Sequence, residues 1–193
     1  SVTLDDDSLI DRAPKHEMSL SDFEFAFKNA FLEGGFQLKD SSLHALASAL
    51  AFSRLFFLAH IKEEDQKELV SCLSSFFGGE SLFLEAFSSS FLTIDSSPLL
   101  NLFLKAQANS TSYYFVGISD ADSSFNLDFA SLMGAVEFPS EKSSFVGSNG
   151  EEIIPSNVIF VVFKKDEVSP FSFSDSFLRY SPFLSLRYAR GDK

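Results

Sequence analysis

The sequence predicts a three-layer α/β domain, with a mainly parallel central sheet, helices on both faces and a small β-hairpin. Two observations carry that prediction. Three short runs, at 55–59, 113–118 and 158–163, are continuously apolar over strand length, as strands buried on both faces are. Stretches with helical apolar spacing lie between them, and strands alternating with helices imply parallel pairing through crossovers.

The elements follow in order. Residues 1–20 form an acidic lead-in, and one domain runs from 21 to 193. Ser21 and Glu24 have capping-box spacing, and Leu20 can staple against Phe25. Phe23, Phe27, Ala30 and Phe31 then line one helical face until Gly34-Gly35 stops the helix. A second helix starts near Ser41, with Leu43, Leu46, Ala47 and Leu50 on one side. The strand 55–59 comes next. A polar turn from His60 to Asp65 leads into a helix over 66–77, with Leu69, Val70, Leu73, Phe76 and Phe77 inward and Gly78-Gly79 at its end. One further strand is expected at 82–87 or 91–94. Ser97-Pro98 then opens a helix with Pro at its first position. After the strand 113–118, a helix over 125–136 is expected. A hairpin over 145–154 turns at Ser148-Asn149-Gly150, since Asn-Gly suits a type I′ turn. Following the strand 158–163, a short helix at 174–178 and a last strand at 183–186 complete the chain.

Composition narrows the function. Of 193 residues, 25 are Phe and 34 are Ser, and the formal net charge is −12. Neutralising phosphates needs clustered Lys and Arg, and the one basic cluster is Arg179, Arg187, Arg190 and Lys193. Direct nucleic-acid binding and docking to an anionic membrane are therefore disfavoured. A single cysteine, Cys72, leaves no internal disulfide and no cysteine-based metal site, and it reads as a small core residue. His16, His44 and His60 show no ligand spacing. No apolar run reaches 18 residues. With Asp5, Asp6 and Asp7 where a basic leader would lie, a cytoplasmic protein is the expectation. No Ser/His/Asp set is arranged for nucleophilic catalysis. Arg190-Gly191-Asp192 spells an integrin-recognition tripeptide, read as coincidence.

In open α/β sheets ligands bind at the carboxyl ends of strands, so the turn after Leu58 is the first place to look. A phosphate-binding turn needs glycines, a Lys and a Ser or Thr. This one reads His60-Ile61-Lys62-Glu63-Glu64-Asp65-Gln66-Lys67, with no glycine and three consecutive acids. It is read as a solvated loop and helix N-terminus, where carboxylates favour the macrodipole. Lys164-Lys165-Asp166 is read as a charged loop after a strand.

The order of elements resembles that of the AAA+ P-loop ATPases, particularly the McrB-type restriction GTPase branch. Leu46-Ala47-Ser48-Ala49-Leu50 followed by Arg54-Leu55-Phe56-Phe57-Leu58 resembles that family's run into its P-loop. Tyr113 to Asp120 resembles its Walker B strand, Phe129 to Glu137 the helix after it, and Ile154 to Val161 the lead into sensor 1. Phe173 to Arg179 resembles the stretch bearing a conserved Arg. The resemblance covers roughly residues 38–188 and implies a P-loop NTPase-like fold.

It also implies a degraded site. His60 and Asp65 match the Walker A glycines, Gln66 its Lys and Lys67 its Ser/Thr; Ser119 and Asp120 match the Walker B acid pair. Phosphoryl transfer depends on those groups acting together. The expectation is therefore a pseudo-ATPase with no catalytic residues, no nucleotide, no metal and no cofactor. It would be a structural or regulatory module for a protein partner, an active AAA+-like subunit being one candidate, with Arg179 as an arginine finger in trans. The isolated chain is expected to be monomeric or weakly dimeric and to lack the family's helical lid. Two alternatives stay open: a divergent nucleotide-dependent enzyme using Asp120, Asp122 and Lys67, and an unrelated α/β interaction domain. The Phe-rich stretch 82–92, with Phe83 and Phe87, is the expected exposed apolar contact.

Overall fold

The computed structural model describes residues 19–85, 97–119, 143–147, 150–164 and 182–191. The acidic arm through residue 18, the stretches 125–136 and 174–178, the tip Ser148-Asn149, and the alternative strand 91–94 lie outside them.

α1 (Leu20–Glu33) starts one residue before the expected domain boundary. Its cap is Ser19, whose hydroxyl accepts from the Asp22 N–H at 3.2 Å. Ser21 thus falls inside the first turn, and the capping-box reading at Ser21–Glu24 is corrected by two residues. The helix ends at Gly34, and Gly35 takes φ 84°, which only glycine adopts without strain. β1 (Phe36–Leu38) follows, then α2 (Asp40–Phe52) and β2 (Leu55–Ala59). α3 (Glu63–Phe76) ends before Gly78 at φ 74°. β3 (Ser81–Leu84) settles the described part of the ambiguous Phe/Ser-rich region. α4 (Pro98–Ala108) has Pro at its start and Ser97 as cap, its hydroxyl accepting from Leu100 N–H at 3.2 Å. β4 (Tyr114–Ser119), the hairpin β5 (Ser143–Gly147) and β6 (Gly150–Ile154), β7 (Val158–Lys164), β8 (Phe183–Ser185) and β9 (Tyr188–Arg190) complete the described elements.

The main sheet has the order β3-β4-β7-β2-β8, and every neighbouring pair in it is parallel. The three apolar strands read from sequence are adjacent and central, as that reading requires. Leu55 lies opposite Phe160, and Val116 opposite the same residue on the other side. This is a three-layer α/β domain built on an all-parallel five-stranded sheet.

Alternation along each strand sorts the core into two layers. Leu55, Phe57, Val116, Phe160 and Val162 face α4 with Leu99, Leu102 and Phe103. Phe56, Leu58, Phe115, Val161 and Phe163 face the layer of α1, α2 and α3, where Phe27, Phe31, Leu46, Leu69 and Leu73 close the core. Aromatic edges and faces mesh there: Phe27 lies 4.9 Å from Phe31 and 5.1 Å from Phe76, both ring pairs edge-on. Much of the phenylalanine content is therefore packing. That includes Phe83, which is half-buried against Phe163 at 6.1 Å. The expected exposed contact at 82–92 is corrected for its described part: Leu82 and Phe83 pack against the two core layers and Leu84 is buried. Phe87 lies outside the described residues.

One further piece has no counterpart in the sequence reading. β1 pairs antiparallel with β9, Phe36 opposite Arg190 and Leu38 opposite Tyr188. The ribbon is tied at both ends, by Gly191 N–H to Gly35 O at 2.9 Å and Lys39 N–H to Arg187 O at 3.0 Å. It brings the C-terminal strand beside the N-terminal turn of α3.

Candidate functional site

The carboxyl edge of the sheet is where the β2–α3 connection, the end of β4 and the end of β7 meet. Register places Ala59 beside Lys164, and Phe163 beside Ser119. His60, directly after β2, and Ser119, at the end of β4, are thus brought to either side of Lys164 at the end of β7. Asp120, Asp122 and Arg179 lie outside the described residues.

The β2–α3 connection is three residues long, His60 to Lys62, because α3 begins at Glu63. The helix expected from 66 starts three residues earlier. Glu63, Glu64 and Asp65 form its first turn, where carboxylates interact favourably with the positive end of the macrodipole. Asp65 N–H bonds Lys62 O at 2.9 Å. His60 takes φ 65°, the one left-handed non-glycine among the described residues; it stands at the position matched to the first glycine of a P-loop. Gln66, at the matched lysine position, is buried, and its amide donates to Ile61 O at 3.4 Å. Lys67 is exposed on α3.

Asp65 is no solvated loop residue. It is 5% exposed, and a buried carboxylate requires partners. They come from β9, where Tyr188 and Arg190 are two residues apart and so share a face. Tyr188 OH donates to Asp65 Oδ2 at 2.6 Å and accepts from Lys62 N–H at 3.1 Å. Arg190 Nε lies 3.2 Å from Asp65 Oδ1, and its Nη2 donates to Glu68 at 2.7 Å. The same guanidinium donates to Gly34 O at 3.1 Å and stacks 3.9 Å above the Phe36 ring. Arg190, one member of the basic C-terminal cluster, is thus engaged within the chain.

Burial and the hydrogen bond given to Asp65 push the Tyr188 phenol up to about 12. The phenol bonds Asp65 only while protonated, so its contribution to stability is complete below about pH 10 and fades as pH rises from there through about 12. Tyr188→Phe is expected to cost about 1–2 kcal/mol at neutral pH. Denaturant titrations at about pH 9 and about pH 12 should show that gap between wild type and variant closing at the higher pH. A constant gap would mean the phenol does not hold Asp65.

Cys72 is half-buried beside this clasp rather than fully in the core. Burial raises its thiol pKa, against a smaller opposing pull from Arg190. Lys164 corrects a second reading: it is the last residue of β7, 2% exposed, and not part of a solvated loop. Sequence reasoning missed Tyr188 and Arg190 as partners of Asp65, and Glu68 as a second partner of Arg190; the one available signal was the i, i+2 spacing of Tyr188 and Arg190. Among the described residues no three His, Cys, Asp or Glu side chains gather for a metal, and no helix is long and apolar enough to cross a membrane.

No protein-family model matches the chain, and no curated protein matches it. Among solved structures it is similar to C. elegans PCH-2, with 12% sequence identity and a TM-score of 0.46. The match covers 82% of this chain and 45% of that one, so the chain spans less than half the length of PCH-2.

Proposed function

We propose that the chain is a degenerate AAA+ domain of McrB-like type, one that binds no nucleotide and acts as a structural or regulatory module for another protein. One observation carries the reading. The turn where a P-loop would wrap phosphates is a three-residue connection running straight into α3, and the chain's own Tyr188 takes up the Lys62 N–H at its mouth. An incoming triphosphate would meet the exposed carboxylates of Glu63 and Glu64 with no glycine to admit it, and like charges at close range repel. Gln66 replaces the lysine that would answer that charge. The sheet is kept and its ligand-binding turn is put to structural use. In this reading residues 21–193 form one domain behind an acidic arm, cytoplasmic, monomeric or weakly dimeric alone, and partnered by another protein such as an active AAA+-like subunit. Arg179 would serve that partner's site.

A second reading, a divergent nucleotide-dependent enzyme, draws on Lys164, a lysine buried at the carboxyl end of the central strand where a phosphate would lie. Isothermal titration with ATP and GTP, with and without Mg²⁺, separates the two. The first predicts no measurable binding at millimolar nucleotide. Micromolar affinity would establish the second.

A further inference from the structure

An open apolar surface lies away from the carboxyl edge, beside α1 and α2. A cavity of about 520 Å³ opens there, with Phe23, Ala47, Ala51, Phe77 and Ile159 among its walls. Large apolar side chains stand exposed on its rim: Leu20 at 67%, Phe52 at 90% and Tyr113 at 43%. A second apolar cavity, about 460 Å³, lies against Ala45, Ala49, Pro182 and Leu184. Ser48 and Phe52 line both, so the two form one grooved surface astride the C-terminal half of α2. Exposed apolar patches of this kind mark docking sites.

Charge selects the occupant. The chain carries −12 overall. At one end the groove is walled by Glu24, whose Oε1 lies 2.9 Å from His44 Nδ1. At the other end α2 terminates beside Phe52, and its last turn holds no basic residue to answer the negative end of the helix dipole. An apolar floor between two electronegative ends fits an amphipathic helix with Lys or Arg flanking its apolar stripe, the helix-in-groove mode of recognition.

We propose that this α1–α2 groove is the chain's partner-docking surface and that it takes a basic amphipathic helix of another protein. The proposal rests on the reading of the chain as an interaction module and supplies a surface that Leu82, Phe83 and Leu84 do not.

The test uses the full chain and a fluorescein-labelled peptide of Leu and Lys, about five helical turns long, with Leu at helical spacing. A peptide of the same composition, scrambled to destroy the apolar stripe, is the control. Fluorescence anisotropy should show the amphipathic peptide binding at least roughly tenfold more tightly than the scrambled one. Phe52→Ser and Ala51→Lys, both at exposed positions and so tolerated by the fold, should each weaken it by about tenfold or more. Leu104→Ser, exposed on α4 across the sheet, should leave it unchanged. Equal affinity for the two peptides, or no effect of either groove variant, overturns the proposal. So does a dimer in sedimentation equilibrium that Phe52→Ser dissociates, because the groove would then belong to a second copy. Nucleotide titration is read separately: tight ATP binding with intact peptide binding would sink the pseudo-ATPase reading and spare the groove.

Discussion

Asp65→Ala is expected to destabilise the chain by about 3 kcal/mol, because its buried carboxylate holds two partners. Breaking a buried ion pair from one side costs about 3–5 kcal/mol, because the remaining charge and hydroxyl lose their partners. Here the Tyr188 hydroxyl and Arg190 Nε both depend on that carboxylate. The lower end of the range applies because Arg190 keeps Glu68 and the Gly34 carbonyl. Asp65→Asn, which can still accept from one of these groups, should lose roughly half as much. Chemical denaturation gives both values. Amide exchange should show where the loss falls, with Lys39 and Gly191, which close the β1–β9 ribbon, exchanging faster in the alanine variant. A change within about 0.5 kcal/mol, the usual range for unimportant surface positions, would mean that the clasp holds nothing.

Phe160→Ala should cost more, about 3–5 kcal/mol. Phe160 is fully buried in the central strand, flanked by Leu55 on β2 and Val116 on β4, with its ring 6.5 Å from Phe103 of α4. No small movement of one helix could fill the void, because the residue is fixed by parallel pairing on both sides. For a chain of this size each kcal/mol lowers the melting temperature by about 2–4 °C, so a fall of roughly 6–20 °C is expected. Phe25→Ala, on the exposed face of α1, should change it by less than about 2 °C. If the two variants melted together, the assignment of Phe160 to the heart of the sheet would fail.

These residues also show what a sequence exposes and what it hides. The run Leu-Phe-Phe-Leu-Ala at 55–59 is legible because a strand buried on both faces needs no polar alternation, and the structure places β2 there. Ser97-Pro98 marks the start of α4 for a local reason, a cap and a residue with no N–H to lose. The run Glu63-Glu64-Asp65 is half legible: acids suit a helix start, and the three do form the first turn of α3, but that Asp65 is buried depends on β9, which no local pattern reveals. Asp65 lies 123 positions from Tyr188, and Glu68 lies 122 from Arg190, with no local pattern linking them. β1 and β9 have three residues each, too few for a period to register. Phe83 is hard to place because a half-buried edge strand and an exposed patch share a composition. The groove beside α2 is invisible for the opposite reason: Ala47, Ser48 and Ala51 read as ordinary helix positions, and a cavity is made by what is small.

Whether the turn after β2 serves the fold or a nucleotide is decided by two-dimensional amide NMR of the labelled chain, titrated with Mg²⁺–ATP to millimolar concentration. If the turn is structural, the amides of Ile61, Lys62, Glu63, Glu64 and Asp65 keep their positions throughout, with Lys62 still bonded to Tyr188. Saturable shifts centred on those amides, with half-saturation in the micromolar range, would contradict it.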